Sequence, residues 1–149
     1  MIIRATKKHI DWIIRHRIEM FRSMGWTEEN LVITEDITRK FLEHDWTDNP
    51  EVLLAIEGEE IVGGVAINYS IRIPDNRNVS GKCAYIMNLY VEEDYRNRGI
   101  ATLLMKESLK ACKEKGVGKV ALHATDMGER VYTKLGFEKS DNFYQVYLK

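Results

Sequence analysis

The chain has 149 residues, of which 44% are hydrophobic and 30% are charged. This size and composition predict one compact globular domain, residues 1–149, with enough apolar surface for a core. The 22 basic residues nearly cancel the 23 acidic ones, which counts against a protein that binds nucleic acid or an anionic membrane through its overall charge. No apolar run approaches the roughly 20 residues that span a bilayer, and the first residues lack a signal-peptide pattern. We therefore expect a cytoplasmic protein without nucleic-acid or membrane partners.

Two cysteines, Cys83 and Cys112, are too few for a disulfide framework. Neither stands in a CxxC pair or near a histidine at the spacing of metal ligands. Free cysteines usually pack as small apolar side chains. We therefore expect both to be reduced and buried, and we expect no metal site.

The N-terminal part of the chain predicts one strand followed by two helices. Residues 1–6 are a short strand candidate. Thr6 can cap a helix over residues 7–21, in which isoleucines recur at helical spacing. A second helix is predicted over residues 34–46, capped by Thr34 and with two acidic residues in its first turn.

The rest of the chain predicts strands alternating with helices. Residues 51–58 and 60–71 are β-rich runs around a short turn, which indicates an antiparallel hairpin. Residues 83–91 are nearly all apolar or aromatic, as in a central strand covered on both faces. The remaining predicted elements are a helix from about Gly99, a strand over 118–125, a helix over 128–136 and a strand over 142–149. The order β-α-α-β-β-β-α-β-α-β predicts an α/β fold, a mixed sheet with helices on both faces.

The segment YRNRGIAT (95–102) has the features of a phosphate-binding helix start. The first turn of a helix carries unpaired backbone N–H groups and a partial positive charge, which together favour an anion. Gly99 lets the backbone approach a ligand closely and Ala101 keeps the rim low, while Arg96 and Arg98 can add charge. We therefore expect this segment to hold phosphates.

The same segment has a second interpretation, in which both arginines are solvated loop charges and the glycine forms a simple turn. The pattern Arg-x-x-Gly-x-Ala is short and weakly specific by itself. It is neither a GxxxxGK[ST] phosphate loop nor a GxGxxG dinucleotide fingerprint. Kinases, GTPases and NAD-dependent enzymes are disfavoured accordingly.

The stretch NLYVEEDYRNRGIATLLM (88–105), together with the later VYTKLGFE (131–138), resembles the GNAT superfamily of N-acetyltransferases. The order of predicted elements is also similar to that fold along the whole chain. The resemblance implies a mostly antiparallel sheet with a splayed central strand pair. It also implies transfer of an acetyl group from acetyl-CoA to a primary amine, on a small molecule or on a peptide or protein, by direct attack in a ternary complex.

The resemblance assigns acetyl-CoA to two stretches of backbone. The loop and first helical turn would bind the pyrophosphate, and a bulged strand would bind pantetheine in the gap between 87–91 and 120–125. The residues carried over in this way are Leu89, Tyr90, Val91, Arg96, Asn97, Arg98, Gly99, Ile100, Ala101 and Thr102.

Tyr132 matches the family tyrosine that protonates the departing CoA thiolate. A thiolate leaves more readily when an acid is held near its sulfur, and a phenol can serve there. The alternative is a tyrosine packed in the core with its hydroxyl bonded to a neighbour.

The general base has several candidates. Amine acetylation needs a neutral nucleophile, so a proton acceptor must act directly or through water. The predicted central strand contains no acidic residue, although Asn88 can position a water. His123 is a possible base or a hydrogen-bonded structural residue. Glu19 is a further candidate, and Asp126 can act as a base or form a capping box with Glu129.

The acceptor site is expected among the two helices after the first strand, the loop over 72–82 and the last hairpin. Within the helix pair, segment 16–30 mixes acidic and apolar residues. Glu19 and Met20 can receive a cationic amine against apolar walls. The alternative is an ordinary core face of a helix followed by a solvated acidic loop. A different class of function, a non-catalytic domain that binds or senses acyl-CoA, stays open. A homodimer is compatible with a domain of this size.

Overall fold

The computed structural model describes residues 1–124, 128–140 and 142–148. Five strands form one sheet in which spatial neighbours follow chain order. The strands are β1 (Ile2–Arg4), β2 (Glu51–Glu57), β3 (Glu60–Ile71), β4 (Lys82–Val91) and β5 (Lys119–Leu122). The helices are α1 (Ile10–Ser23), α2 (Glu28–His44), α3 (Ile100–Glu114) and α4 (Glu129–Lys134). The first four strands pair antiparallel and β5 pairs parallel to β4, which confirms the predicted mixed sheet.

Helices cover both faces of this sheet, as predicted. On one face, α1 and α2 bury side chains such as Ile14 and Leu31 against β2. On the other face, Leu104 and Met105 of α3 are fully buried against β3 and β4. Both cysteines are free and buried, as predicted. None of the described helices has the length and apolar character needed to cross a membrane.

The helix α2 begins earlier than predicted, so the prediction of a start at Thr34 was wrong. The Thr27 side chain accepts a hydrogen bond from the backbone N–H of Asn30 at 3.2 Å and caps the helix. Each of the two threonines is followed by two acidic residues, so local signals favour both positions equally. Packing favours the earlier start, because Leu31 in this turn is only 2% exposed and is buried in the same core cluster as the isoleucines of α1.

The predicted last strand is the second error. Residues 142–148 form no strand, and their apolar side chains are largely exposed. Alternating apolar residues permit a strand, but a strand exists only where a neighbour supplies main-chain hydrogen bonds. Among the described residues, β5 is paired with β4 alone. The rest of the C-terminal prediction is confirmed, since α4 lies within the predicted range and β5 is a shortened form of the predicted strand.

A β-bulge interrupts the pairing of β4 with β3. The pairs Ala66 with Met87 and Gly64 with Tyr90 enclose one residue on β3 but two on β4. One of those two, Asn88, has a φ of 58°. The parallel pairing of β4 with β5 ends at Ile86, just before the bulge. The bulged part of β4 therefore has no described strand beside it on that side, which is the splayed arrangement that the sequence resemblance implied.

Candidate active site

The chain leaves β4 at Val91, passes through a 3-10 turn at Glu93–Tyr95 and enters α3 at Ile100. Two residues of this connection adopt left-handed backbone conformations, Asn97 with a φ of 64° and Gly99 with a φ of 80°. Gly99 is the N-cap of α3. Left-handed residues beside right-handed ones gather successive N–H groups into an anion-binding concavity.

The N–H groups of this turn are available as donors. Leu103 is the first residue of α3 whose N–H is bonded, to the carbonyl oxygen of Gly99 at 3.0 Å. Within the three described ranges, no protein acceptor is bonded to the N–H groups of residues 97–102. A run of free donors at the positive end of a fifteen-residue helix fits a pyrophosphate.

Both loop arginines are engaged by the protein. Arg96 donates from Nε to the carbonyl oxygen of Val91 at 2.9 Å, and its guanidinium lies over the Tyr90 ring. Arg98 donates to Glu57 and to the carbonyl oxygen of Asp94. Arg96 is half-buried and Arg98 is exposed, and both arginines hydrogen-bond to the backbone of the segment that leads into α3.

Tyr132 lies on α4 and is 9% exposed. Its ring packs against Gly128 so closely that a Cβ added there would lie 2.7 Å from the phenol oxygen. Burial raises the pKa of Tyr132 above its usual range. The phenol is therefore protonated at neutral pH, the state that a general acid requires.

His123 follows β5 and is exposed, and its Nδ1 is hydrogen-bonded with the hydroxyl of Tyr85 on β4. The Phe143 ring packs edge-on against the same imidazole at 4.7 Å. Tyr85 was not recognised from the sequence. The signal that could have found it is the register, since Tyr85 lies opposite Ala121, two residues before the histidine. This pair stands where the β4–β5 ladder ends.

Asn88 in the bulge is joined to α1. Its Oδ1 accepts a hydrogen bond from Nη1 of Arg17 at 2.8 Å. One of the groups with which Asn88 could position a water, its side-chain oxygen, therefore already has a protein donor. Arg17 was not recognised as a site residue either, although a charged residue within the apolar stripe of a helix is the kind of signal that could have found it.

The two acceptor candidates lie on α1. Glu19 is paired with Arg22 and lines a cavity of about 450 Å³ between α1 and the end of β4. Met20 is half-buried. The candidate base and capping residue Asp126 lies outside the described residues.

The bulged strand, the donor-lined loop and the buried tyrosine all lie within residues 16–137, which match the model of the Acetyltransferase (GNAT) family. The chain belongs to the GNAT acetyltransferase family. Among solved structures, a GCN5-related N-acetyltransferase from Ralstonia eutropha JMP134 has a TM-score of 0.88 and 26% identity, with 99% of this chain and 97% of that chain covered. A predicted acetyltransferase with acetyl-CoA from Clostridium acetobutylicum has a TM-score of 0.87 at 24% identity, with 99% and 95% covered. The second of these likenesses shows the GNAT fold alone.

Curated relatives of this chain are longer than the chain itself. N-alpha-acetyltransferase 30 of Xenopus laevis is 29% identical over 115 residues, which are 74% of this chain and 39% of that protein. The protein of the same name from Homo sapiens is 28% identical over 128 residues, with 78% and 33% covered. The chain thus spans well under half the length of these two relatives. N-alpha-acetyltransferase 30 of Schizosaccharomyces pombe is 27% identical over 113 residues, which are 73% of this chain and 70% of that protein.

Proposed function

We propose that this protein is an acetyl-CoA-dependent N-acetyltransferase of the cytoplasm that acetylates a primary amine, on a small molecule or on a peptide or protein. The observation that carries the proposal is the run of unbonded N–H donors over residues 97–102, directly after a bulged strand. A GNAT family match over most of the chain supports the same reaction.

The backbone supplies the cosubstrate site in this proposal. The N–H groups of the loop and first turn of α3 bind the pyrophosphate, and the backbone of Leu89, Tyr90 and Val91 binds pantetheine beside the bulge. Such a ligand fits the loop, whose donors have no acceptor among the described residues, and the bulge, beside which the described residues place no strand on the β5 side. Acetyl-CoA supplies the activated thioester.

Two side chains move the protons. The acceptor nitrogen forms a bond to the acetyl carbon while the carbon–sulfur bond breaks. In the tautomer of His123 whose Nδ1–H donates to the Tyr85 hydroxyl, Nε2 accepts the proton that the acceptor nitrogen loses, directly or through water. Tyr132, whose pKa is raised by burial, donates its proton to the departing sulfur, so the proton count balances.

The test combines calorimetric titration with acetyl-CoA and a free-thiol release assay over amino acids, polyamines, aminoglycosides and peptide amines. We expect binding, and thiol release with at least one acceptor. Binding without release on any amine would favour a non-catalytic acyl-CoA sensor. Absence of binding would overturn the proposal, since the donor-lined loop would then hold no cosubstrate.

A further inference from the structure

Arg17 brings a positive charge to the bulge of β4. It lies on the face of α1 that also carries the buried residues Ile13, Ile14 and Ile18. Its Nη1 donates to Oδ1 of Asn88 at 2.8 Å, and its guanidinium carbon lies 4.7 Å from the centre of the Phe21 ring. The charge is therefore fixed beside the residue that opens the sheet.

Three nearby arginines are paired with carboxylates, whereas Arg17 has no carboxylate partner among the described residues. Arg15 is paired with Glu92, Arg22 with Glu19 and Glu28, and Arg39 with Asp11. For Arg17, no carboxylate oxygen of the described residues lies within 4.0 Å of the side-chain nitrogens. Burial lowers the pKa of Arg17, and no carboxylate raises it. A guanidinium nevertheless stays charged at physiological pH.

A half-buried cation without a counter-charge is costly, and proteins rarely keep one without a use. The Asn88 oxygen and the Phe21 ring offset part of that cost. A guanidinium has five N–H donors in a planar fork, and the bond to Asn88 uses one. The remaining donors match the geometry of a carboxylate, which a guanidinium binds through two parallel hydrogen bonds.

We infer that Arg17 is a specificity-determining residue that binds a carboxylate of the acceptor, so that the acceptor is an amino acid or a similar small molecule with its carboxylate next to its amine. The inference rests on the proposed function and names the acceptor class for that same site. The aromatic wall beside Arg17, where Phe21 stacks on Trp26 at 4.0 Å, favours an apolar side chain on the acceptor. The nearby cation also disfavours the ammonium form of the amine, which leaves more of it neutral for attack.

The inference is tested with matched acceptors, L-methionine and L-phenylalanine against their amides. The amine of the amide has the lower pKa, so more of it is neutral at the assay pH, and a preference for the acid must come from binding. We expect kcat/KM of the wild-type protein to be about 10- to 100-fold higher for the acids. Arg17→Gln should abolish this preference, and Arg17→Lys should keep part of it.

Arg39→Gln is the control. It removes the same charge from Arg39 of α2, which is paired with the exposed Asp11 of α1, and it should leave the preference unchanged. Calorimetry on Arg17→Gln should give the wild-type affinity for acetyl-CoA. A weakened affinity would overturn the inference, since the anion would then be a phosphate of the cosubstrate. Equal use of acids and amides, or turnover of neither, would also overturn it. Thiol release with other amines would in that case leave the proposed function standing.

Discussion

At the scale of single residues, Tyr132 packs in the core and is also the residue proposed as the general acid. Its ring fills space between Gly128 and the Phe137 ring and belongs to the core on the α3 face. The same burial raises the pKa of Tyr132, because a phenolate loses more solvation than a phenol in an apolar setting. Core packing and the proposed acid function therefore depend on the same contacts.

Tyr132→Phe removes the hydroxyl and keeps the ring. We expect kcat to fall by about 100-fold or more, the range attributed to a positioned general acid, with acetyl-CoA affinity unchanged. Thiol-release kinetics and calorimetry measure the two quantities. Tyr144→Phe is the control, because Tyr144 is 95% exposed and should keep full activity. A Tyr132→Phe protein with wild-type kcat would exclude this acid.

At the scale of elements, the start of α3 is shaped by backbone conformation more than by side chains. Gly99 has a left-handed φ, and apart from its chain neighbours no atom of the described residues lies within 4 Å of a Cβ built on it. An alanine there meets no steric clash with neighbours but has to adopt a conformation that L residues avoid. The loop would relax away from its donor geometry.

Gly99→Ala should therefore weaken acetyl-CoA binding by about tenfold and lower the free energy of unfolding by about 1 kcal/mol. Gly25→Ala is a matched control, because Gly25 at the end of α1 also has a left-handed φ and open space around a Cβ. It should lower stability by a similar amount and leave acetyl-CoA affinity unchanged. Calorimetry and denaturant titration of both variants check this. An equal loss of affinity in both would show that the loop has no special role.

Elements could be predicted from the sequence where one local signal stood alone. The hairpin of β2 and β3, the apolar strand β4 and the glycine-capped helix α3 are of this kind. The start of α2 failed because two threonines carried equivalent signals, and the last strand failed because pairing depends on a neighbour. Contacts between distant residues were missed for the same reason. Arg17 and Asn88 are 71 positions apart and Tyr85 and His123 are 38 apart, so only strand register and helix docking bring them together.

At the scale of the whole molecule, a buried histidine joins α1 to the sheet. His16 is 3% exposed and lies between the rings of Trp12 and Tyr90. Its Nε2 lies 3.4 Å from Oε1 of Glu92 without the alignment of a hydrogen bond. Burial lowers the pKa of His16, and the attraction of Glu92 only partly opposes this effect. The folded protein therefore keeps the ring neutral.

This burial makes stability depend on pH. The unfolded chain binds a proton at His16 near pH 6.5, its ordinary pKa, whereas the folded chain binds it only at lower pH. Stability contributed by the neutral ring is present above pH 6.5 and is lost as the pH falls through the folded pKa. We expect His16→Phe to flatten the decline of the melting temperature between pH 7.5 and pH 5, measured by thermal denaturation.

The matched variant is His44→Phe, which changes an exposed histidine at the end of α2. It should keep the wild-type dependence of melting temperature on pH. If the melting temperature of His16→Phe declines with falling pH as steeply as that of the wild type, the acid destabilisation arises from other groups.

The bulge in β4 also bears on how such a chain can change in evolution. Leu89 and Val91 face the α3 core on one side of the bulge, as Ala84 and Ile86 do on the other. Loss of the Asn88 codon would join Met87 to Leu89, place Leu89 opposite Val65 and keep every apolar side chain of β4 on its present face. A single in-frame deletion would thus remove the bulge and leave the apolar face of β4 in place. In this chain, the opening proposed for the cosubstrate and the packing that holds the fold together can therefore be inherited separately.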